Sequence, residues 1–407
     1  MSMVTEELGR TVLEEARRAM LSGCEDPMSV IVSTVFSHRE SLELEWEELD
    51  RLIRKTFLLT KGKLGILDPL AEDEDVTEIM VNGKDRIFYE KNGKIERYGL
   101  NFDTTEDLEE VIRNIAGSVH REINELNPIV DARLEDGSRV NGVYKNVALN
   151  GPILTIRKFS DKYITMDDLV RNGTVTVAQA DFLRALVEAG YNLFISGGTS
   201  SGKTTLLNAL SDYVPKEERV IVIEDSMELK LSHIENIVHM ECRNANSRGK
   251  GLVTMADLIK TSLRMRPDRI IVGEVRGGEV VDMLQAMNTG HSGSMSTGHG
   301  NSAEGMLKRL ESMYLMAVSL NVEAIRAQIA EGIDVMIHLE RDSHRNRHIV
   351  EMKEVMGYEN GEFILNDLMK EGGGIRNLRK AEERSARHVE ILGGSACSRN
   401  DPGKDIL

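Results

Sequence analysis

The sequence predicts an α/β protein in three parts: an N-terminal helical segment, a small α/β domain and a larger α/β domain with a phosphate-binding loop. In residues 1–60, apolar residues recur at spacings of three and four, the period of amphipathic helices. In residues 61–160 the period shifts toward two around one predicted helix, 105–119. In residues 177–366 strands and helices alternate, which predicts a parallel sheet covered by helices.

The helical segment contains an apolar stripe, and the small domain contains four candidate strands. Leu42, Trp46, Leu49, Ile53 and Phe57 have the spacing of one helix face. The predicted strands are VTEIMVN, RIFYEK, SRVNGVY and PILTIRKF.

The larger domain has a recognisable start and end. A polar stretch, residues 161–176, predicts a linker and a hinge before it. Thr176 and Gln179 have the spacing of a capping box that opens a helix. Near the end of the domain, the Asn-Gly pair at 360–361 joins two apolar runs as a tight hairpin. Glycine, mixed charge and few aromatic residues predict a flexible tail over residues 367–407.

Composition excludes several classes of protein. No run of roughly 18 apolar residues is present to span a bilayer. The N-terminus has acidic residues from Glu6 onward and lacks the basic start and apolar core of a signal peptide, so we expect a cytoplasmic protein. A net charge of −16 argues against broad nucleic-acid binding. Cys24, Cys242 and Cys397 are too scattered to predict a disulfide framework or a cysteine zinc site.

The strongest motif is NLFISGGTSSGKTTLLNAL, in which residues 197–204 satisfy the pattern G-x-x-x-x-G-K-[ST]. An apolar strand precedes it and a helical pattern follows, so backbone N–H groups and a helix N-terminus are available to bind phosphates. We expect Lys203 to reach the β- and γ-phosphates and Thr204 to hold Mg²⁺. A glycine-rich turn without a ligand would not require the Gly-Lys-Thr ending. The predicted nucleotide-binding residues are Gly197, Gly198, Thr199, Ser200, Ser201, Gly202, Lys203, Thr204 and Thr205.

Two apolar runs end in carboxylates. VIVIEDSMEL ends its apolar run in Glu224 and Asp225, and RPDRIIVGEVRGGE places Glu274 after a buried strand. The second run resembles a Walker B strand with Gly273 in the aspartate position. Glu274 is therefore expected to serve the Mg²⁺ shell through a water, to orient the attacking water, or both. Acidic residues that only solvate strand ends are the alternative, and which glutamate orients the water stays open.

Two histidines occur in matching triplets. MNTGHSGSMSTGHGNSAEG places His291 and His299 in Thr-Gly-His triplets on either side of a short strand. An imidazole at such a position can donate to a γ-phosphate oxygen, so we expect both histidines to sense nucleotide. The alternatives are ordinary polar residues in surface loops or metal ligands, and the latter lack a third ligand at suitable spacing.

Taken in order, the P-loop, the IED box, the GEVR strand and the TGH…TGHGN box resemble the secretion ATPase superfamily. The resemblance covers about residues 60–360 and is closest to the Tad/Flp pilus assembly ATPases, with NPIVDARLEDGSRVN and GPILTIRKF upstream. The type IV secretion traffic ATPases are similar too. Gly298 and Gly300 are smaller than the residues that the Tad/Flp branch usually has there. The family implies a RecA-like fold for the larger domain.

The resemblance also implies a function. Such a protein is a cytoplasmic homo-hexamer at the inner face of the cytoplasmic membrane. There it contacts an inner-membrane platform protein and uses ATP and Mg²⁺ to insert pilin subunits into a fibre. Matched to the family, Lys203 is the phosphate lysine, Thr204 the magnesium ligand, Glu224 and Glu274 the acidic-box and Walker B glutamates, and His291 and His299 the histidine box. Arg133, Arg139 and Arg157 match basic positions of the small domain.

These three arginines have two possible interpretations. As charge-stabilising fingers, Arg139 and Arg157 would act in catalysis and Arg133 in nucleotide binding. As structural residues, all three would form salt bridges within the small domain.

Rival functions remain. A small-molecule P-loop kinase usually lacks the IED box and the preceding strand domain. A nucleic-acid translocase would need a basic, aromatic-rich surface, so we expect no direct nucleic-acid partner. Two catalytic-looking glutamates disfavour a scaffold that binds nucleotide without hydrolysis. A GTPase is unsupported because no N-K-x-D motif occurs.

Overall fold

The computed structural model describes residues 3–20, 26–159, 163–231, 233–243, 245, 249–369, 374–376 and 378. Contacts divide the chain into two compact units, Met1–Asp161 and Lys162–Leu407. Each unit has its own hydrophobic clusters. Helices and sheets occur in both, which confirms the predicted α/β class and the helical N-terminus.

The first unit begins with three packed helices, α1 (Met3–Met20), α2 (Pro27–Ser37) and α3 (Trp46–Lys61). Asp26 caps α2 by accepting a hydrogen bond from the backbone of Met28. The predicted apolar stripe is only partly correct. Leu49 is buried, whereas Leu42 and Trp46 are 66% and 73% exposed. The reason is that α3 begins at Trp46, so Leu42 precedes the helix and does not share its face.

The same unit contains a six-stranded antiparallel sheet with the strand order β3-β2-β1-β6-β5-β4. One face packs against α5, whose Leu108 and Ile112 lie in one cluster with Ile79, Leu154 and Ile156 of the sheet. Residues that alternate with these in the strands lie on the opposite face. The elements are α4 (Asp68–Glu72), β1 (Val76–Asn82), β2 (Ile87–Lys91), β3 (Lys94–Arg97), α5 (Thr105–Ser118), β4 (Ile129–Arg133), β5 (Arg139–Val143) and β6 (Ile153–Arg157).

The second unit contains an eight-stranded sheet with the order β14-β13-β12-β7-β11-β10-β8-β9. The neighbouring strands β12, β7, β11, β10, β8 and β9 run parallel to one another. Strand β13 is antiparallel to β12, and β14 is antiparallel to β13. Leu193 and Ile195 of β7 lie in one hydrophobic cluster and Phe194 in another, so both faces of the sheet are covered.

The elements of the second unit follow in chain order. They are α6 (Met166–Arg171), α7 (Val177–Glu188), β7 (Leu193–Gly197), α8 (Lys203–Ser211), β8 (Val220–Glu224), β9 (Ile237–Glu241), α9 (Met255–Ser262), β10 (Arg269–Val275), α10 (Val280–Asn288), β11 (Met295–His299), α11 (Ala303–Ala317), α12 (Val322–Gly332), β12 (Val335–Arg341), β13 (Arg347–Glu359) and β14 (Glu362–Asp367).

The capping box and the tight hairpin that the sequence predicted are both present in this unit. The capping box opens α7: the backbone N–H of Gln179 donates to Thr176 Oγ1 at 3.2 Å, and the backbone N–H of Thr176 donates to Gln179 Oε1 at 2.8 Å. Asn360 and Gly361 both have positive φ angles, 51° and 90°, as a tight hairpin between β13 and β14 requires.

Two predicted segments differ in part from expectation. The stretch 161–176, predicted as a linker, contains the helix α6, which Thr165 and Asp168 open with a second capping box. After Asp367, Leu368 is buried and Met369 pairs with Ile375. Most of the predicted flexible tail, residues 379–407, lies outside the described residues.

Candidate nucleotide-binding site

The carboxyl ends of the parallel strands form one edge of the large sheet, and the predicted catalytic residues gather there. Gly197 at the end of β7 pairs with His299 at the end of β11. Glu274 lies near the end of β10, and Glu224 is the last residue of β8. Strand order therefore brings four separate sequence motifs together at the phosphate-binding loop.

The loop itself has the backbone that its glycines permit. Gly202 has φ 96° and caps α8, a left-handed conformation that favours glycine. A Cβ on Gly197 would lie 2.5 Å from both the Leu339 carbonyl oxygen and Ser201 Oγ, so a side chain there would collide with the neighbouring strand. The middle of the loop, residues 198–200, is exposed, whereas Ser201 and Lys203 are buried. The loop can therefore present backbone N–H groups to a polyphosphate.

Lys203 is held inside this loop. Its Nζ donates to the carbonyl oxygens of Gly197 at 3.1 Å and Gly198 at 2.8 Å, and it lies 3.3 Å from His299 Nδ1. Burial lowers the pKa of Lys203, and the Glu274 carboxylate partly opposes that shift. A polyphosphate bound at the loop would favour the charged ammonium further.

Glu274 contacts a cation on one side and an imidazole on the other. Its Oε2 accepts hydrogen bonds from Arg276 Nε at 3.1 Å and Arg276 Nη2 at 2.7 Å. Its Oε1 lies 2.7 Å from His299 Nε2, yet it is buried and has no well-aligned hydrogen-bond donor among the described residues. Burial lowers the pKa of His299, and the Lys203 charge lowers it further, which favours the neutral imidazole.

Glu224 makes different contacts. It is 4% exposed, and its Oε1 accepts hydrogen bonds from the backbone N–H groups of Glu228 at 2.9 Å and Leu229 at 3.1 Å. A Cβ on Gly273 would lie 2.9 Å from Glu224 Cγ. The glycine at the Walker B aspartate position therefore makes room for the Glu224 side chain on the neighbouring strand.

The two glycines on either side of His299 are explained by packing. A Cβ on Gly298 would lie 2.7 Å from Met306 Cε and 3.0 Å from Phe194 Cζ. A Cβ on Gly300 would lie 3.1 Å from Met306 Cβ and Sδ. Met306 of α11 fills the space that larger residues would occupy.

The structure does not bring His291 to this cluster. His291 precedes β11 and His299 is its last residue, so the two histidines lie at opposite ends of this strand. A five-residue strand spans about 13 Å. The Nδ1 of His291 lies 3.2 Å from the Ala286 carbonyl oxygen at the end of α10. The predicted contact between His291 and nucleotide stays a prediction. The placement of His291 does not support such a contact within one chain.

The three arginines of the small domain lie in the first unit and are brought together by strand register. Arg133 pairs with Arg139, and Arg139 pairs with Arg157. Directly paired residues point to the same face, here the face opposite the buried Val140 and Ile156. The three arginines therefore leave one face of the sheet on β4, β5 and β6, and Glu78 of β1, which pairs with Arg157, continues the row.

Sequence reasoning missed two residues of the site. Arg276 stands two positions after Glu274 in the quoted GEVR stretch, and strand alternation could have indicated a shared face. Arg347 begins β13, and its Nε donates to the Ser200 carbonyl oxygen in the loop at 3.1 Å. The two residues are 147 positions apart, so no local signal could have found this contact.

The chain is similar in sequence to known proteins. An uncharacterized protein of Methanocaldococcus jannaschii is 43% identical over 272 residues, which are 65% of this chain and 37% of that protein. The probable conjugal transfer protein TrbB of Sinorhizobium fredii is 34% identical over 323 residues, which are 78% of this chain and 92% of that protein.

Among solved structures, the ATPase DotB of Legionella pneumophila has a similar fold, with 20% identity and a TM-score of 0.51 over 71% of this chain and 80% of that chain. A family model described as "Type II/IV secretion system protein" matches residues 61–389. Because that match covers most of the chain, the protein belongs to the type II/IV secretion ATPase superfamily, with the RecA-like fold of its members.

Proposed function

We propose that this protein hydrolyses ATP and uses the energy to drive a secretion or pilus-assembly apparatus. The observation that carries the proposal is the meeting of Lys203, His299 and Glu274 at one edge of the sheet, where one buried oxygen of Glu274 has no well-aligned donor among the described residues. Such an oxygen is suited to accept a hydrogen bond from an attacking water.

Each residue has a distinct task in the proposed reaction. The loop N–H groups and Lys203 bind the β- and γ-phosphates and neutralise charge that develops during transfer. Glu274 orients the attacking water through Oε1, while Arg276 fixes Oε2. Glu224 accepts hydrogen bonds from the backbone N–H groups of residues 228–229 and so fixes the segment that follows β8. His299 would donate to a γ-phosphate oxygen through Nε2, which lies 2.7 Å from Glu274 Oε1 in the structure.

The residues present also fit a magnesium ion. Thr204 follows the loop lysine, and the buried Oε1 of Glu274 can accept a hydrogen bond from a metal-bound water. Mg²⁺ would neutralise charge on the β- and γ-phosphates.

The finer proposal is a cytoplasmic homo-hexamer that works with an inner-membrane platform protein to assemble a Tad/Flp-type pilus. The order and spacing of the motifs support it. In the hexamer, Arg139 and Arg157 of one chain would reach the nucleotide of its neighbour, with Arg133 beside them. No helix among the described residues is long and apolar enough to cross a membrane.

A type IV secretion traffic ATPase is the second candidate. It is favoured by the 34% identity to a relative named as a conjugal transfer protein. Deleting the gene and comparing surface fibres, secreted protein and DNA transfer in the same cells separates the two. Loss of fibres alone supports the pilus, and loss of DNA transfer or protein secretion with intact fibres supports the second candidate.

The activity is tested with Lys203→Ala. We expect phosphate release from ATP to fall by at least about a hundredfold, because the variant lacks the cation that stabilises the transferring phosphoryl group. Lys216→Ala, which removes an exposed lysine of the same unit, should keep normal turnover. Near-normal turnover of Lys203→Ala would refute the assignment of the loop.

A further inference from the structure

The β12–β13 hairpin stands beside the phosphate-binding loop. Gly197, where the loop begins, pairs with Leu339 of β12. Strand β12 continues past that pair to Arg341, which pairs with Arg347 at the start of β13. The closed end of the hairpin therefore extends past Gly197, the last residue of β7. It lies on one side of the loop, and β11 and β10 lie on the other.

Arg347 joins this hairpin to the loop. Its Nε donates to the Ser200 carbonyl oxygen at 3.1 Å, and a Cβ on Gly202 would lie 3.1 Å from Arg347 Cδ. The Arg347 side chain is exposed, and among the described residues no acceptor binds its terminal nitrogens. The aliphatic stem thus packs on the loop while a planar cation faces solvent next to it.

Two like charges face each other near the end of the hairpin. Arg341 and Arg347 are directly opposite each other, and both are exposed. Like charges in such a pair destabilise a hairpin. The nearby carboxylate, Asp342, accepts hydrogen bonds from the backbone and side chain of Asn346 and contacts His348. The arrangement suits a ligand with either an electron-rich face or a negative charge.

The order of the strands sets the direction of a bound nucleotide. His299 and Glu274 lie on β11 and β10, on one side of the loop, and receive the γ-phosphate in the proposed function. With the β-phosphate in the loop, the nucleoside would extend toward the other side of β7. The β12–β13 hairpin occupies that side.

We propose that Arg347 is a nucleoside-binding residue: its guanidinium group stacks on the purine base while its Nε holds the loop at Ser200. A planar guanidinium stacks well on aromatic faces, which an ammonium cannot do. Stacking tolerates different bases, so this contact strengthens binding of adenine and guanine nucleotides alike. The inference rests on the proposed function only for nucleotide binding at the loop and does not require hydrolysis.

The test measures the affinity of Arg347→Ala for three ligands with Mg²⁺: ATP, ADP and inorganic tripolyphosphate, which has phosphates but no nucleoside. We expect the dissociation constants for ATP and ADP to rise about tenfold more than that for tripolyphosphate, which loses only the support that Nε gives to the loop. Arg347→Lys should resemble Arg347→Ala for ATP, because charge without a planar group does not restore stacking.

Two controls complete the design. Lys203→Ala should weaken ATP and tripolyphosphate alike, and Arg264→Ala, which removes another exposed arginine of this unit, should weaken neither. An equal loss for ATP and tripolyphosphate in Arg347→Ala would mean that Arg347 only braces the loop. No loss for either ligand would also overturn the inference. Wild-type turnover is measured separately, so a chain that binds ATP without hydrolysing it refutes the proposed function and leaves the binding test valid.

Discussion

Glu274 is held firmly through one oxygen. Arg276 donates twice to Oε2, and this pairing fixes the carboxylate plane. Oε1 faces His299, and burial lowers the pKa of that imidazole, which favours its neutral form. The result is an oriented carboxylate whose second, buried oxygen lies against the His299 ring.

Replacing this carboxylate by an amide should separate binding from turnover. Glu274→Gln keeps the shape of the side chain but loses its charge and its ability to accept a proton. We expect ATP affinity to change by less than about threefold and turnover to fall by roughly a hundredfold or more, the usual contribution of a general base. Nucleotide titration and phosphate release measure the two effects.

The exposed Glu235→Gln is the matched control and should show normal values. If binding collapses in Glu274→Gln, the residue holds the loop in shape and does not orient the attacking water.

The neighbouring strands β8 and β10 explain the unusual Walker B strand. Ile223 pairs with Val272, so Glu224 and Gly273 are adjacent across the sheet. The Glu224 side chain passes over Gly273 on its way to the backbone N–H groups of residues 228–229. Thr297 Oγ1 donates to the Gly273 carbonyl oxygen at 2.7 Å and fixes the strand from the other side. The side chain of Glu224, which comes from a different strand, therefore needs the space that a larger residue at position 273 would fill.

A methyl group at this position should disturb the pairing. We expect Gly273→Ala to lower the free energy of unfolding by about 1–3 kcal/mol, because the Cβ would lie 2.9 Å from Glu224 Cγ and force this hydrogen-bonded side chain to move. Urea unfolding measures the change. In the double variant with Glu224→Ala, the added cost of the methyl group should largely disappear.

Gly357→Ala in β13 is the control, since a Cβ there meets nothing within 4 Å, and its effect should stay within about 0.5 kcal/mol. Equal costs of Gly273→Ala with and without Glu224 would contradict the packing argument.

The chain as a whole keeps its arginines and its phosphate-binding loop in separate compact units. Arg133, Arg139 and Arg157 lie side by side on one sheet face, next to Glu78 of β1, which pairs with Arg157. In ring-shaped motors a charge-stabilising arginine can come from the neighbouring subunit. The proposed hexamer makes this arrangement testable.

Mixing two inactive chains tests whether the arginines act between subunits. One chain has Arg139→Ala with Arg157→Ala, and the other has Lys203→Ala. Random mixing in equal amounts leaves about a quarter of the interfaces with an intact loop on one side and intact arginines on the other. We therefore expect ATPase activity to return to at most about a quarter of the wild-type value.

Different affinity tags on the two chains show whether mixed rings form. Mixed rings without any recovery of activity would mean that the arginines act within their own chain or serve only the fold of the first unit.

Local patterns in the sequence identified much of this protein. The Gly-x-x-x-x-Gly-Lys-Thr loop, the capping box at Thr176 and the hairpin at 360–361 depend on residues at most seven positions apart, so spacing alone is enough to predict them. Apolar runs that end in Glu224 and Glu274 also predicted that both carboxylates lie at strand ends, as the structure shows.

Contacts between distant segments were decided by the tertiary structure. Strand order placed His299 at the loop and His291 at the opposite edge, although the two triplets look alike in sequence. The space at Gly273 depends on Glu224 from another strand, and the contact of Arg347 with the loop depends on a hairpin far along the chain. The physical reason is that hydrogen bonds and steric exclusion act between atoms that are near in space. Only the completed sheet brings those atoms together.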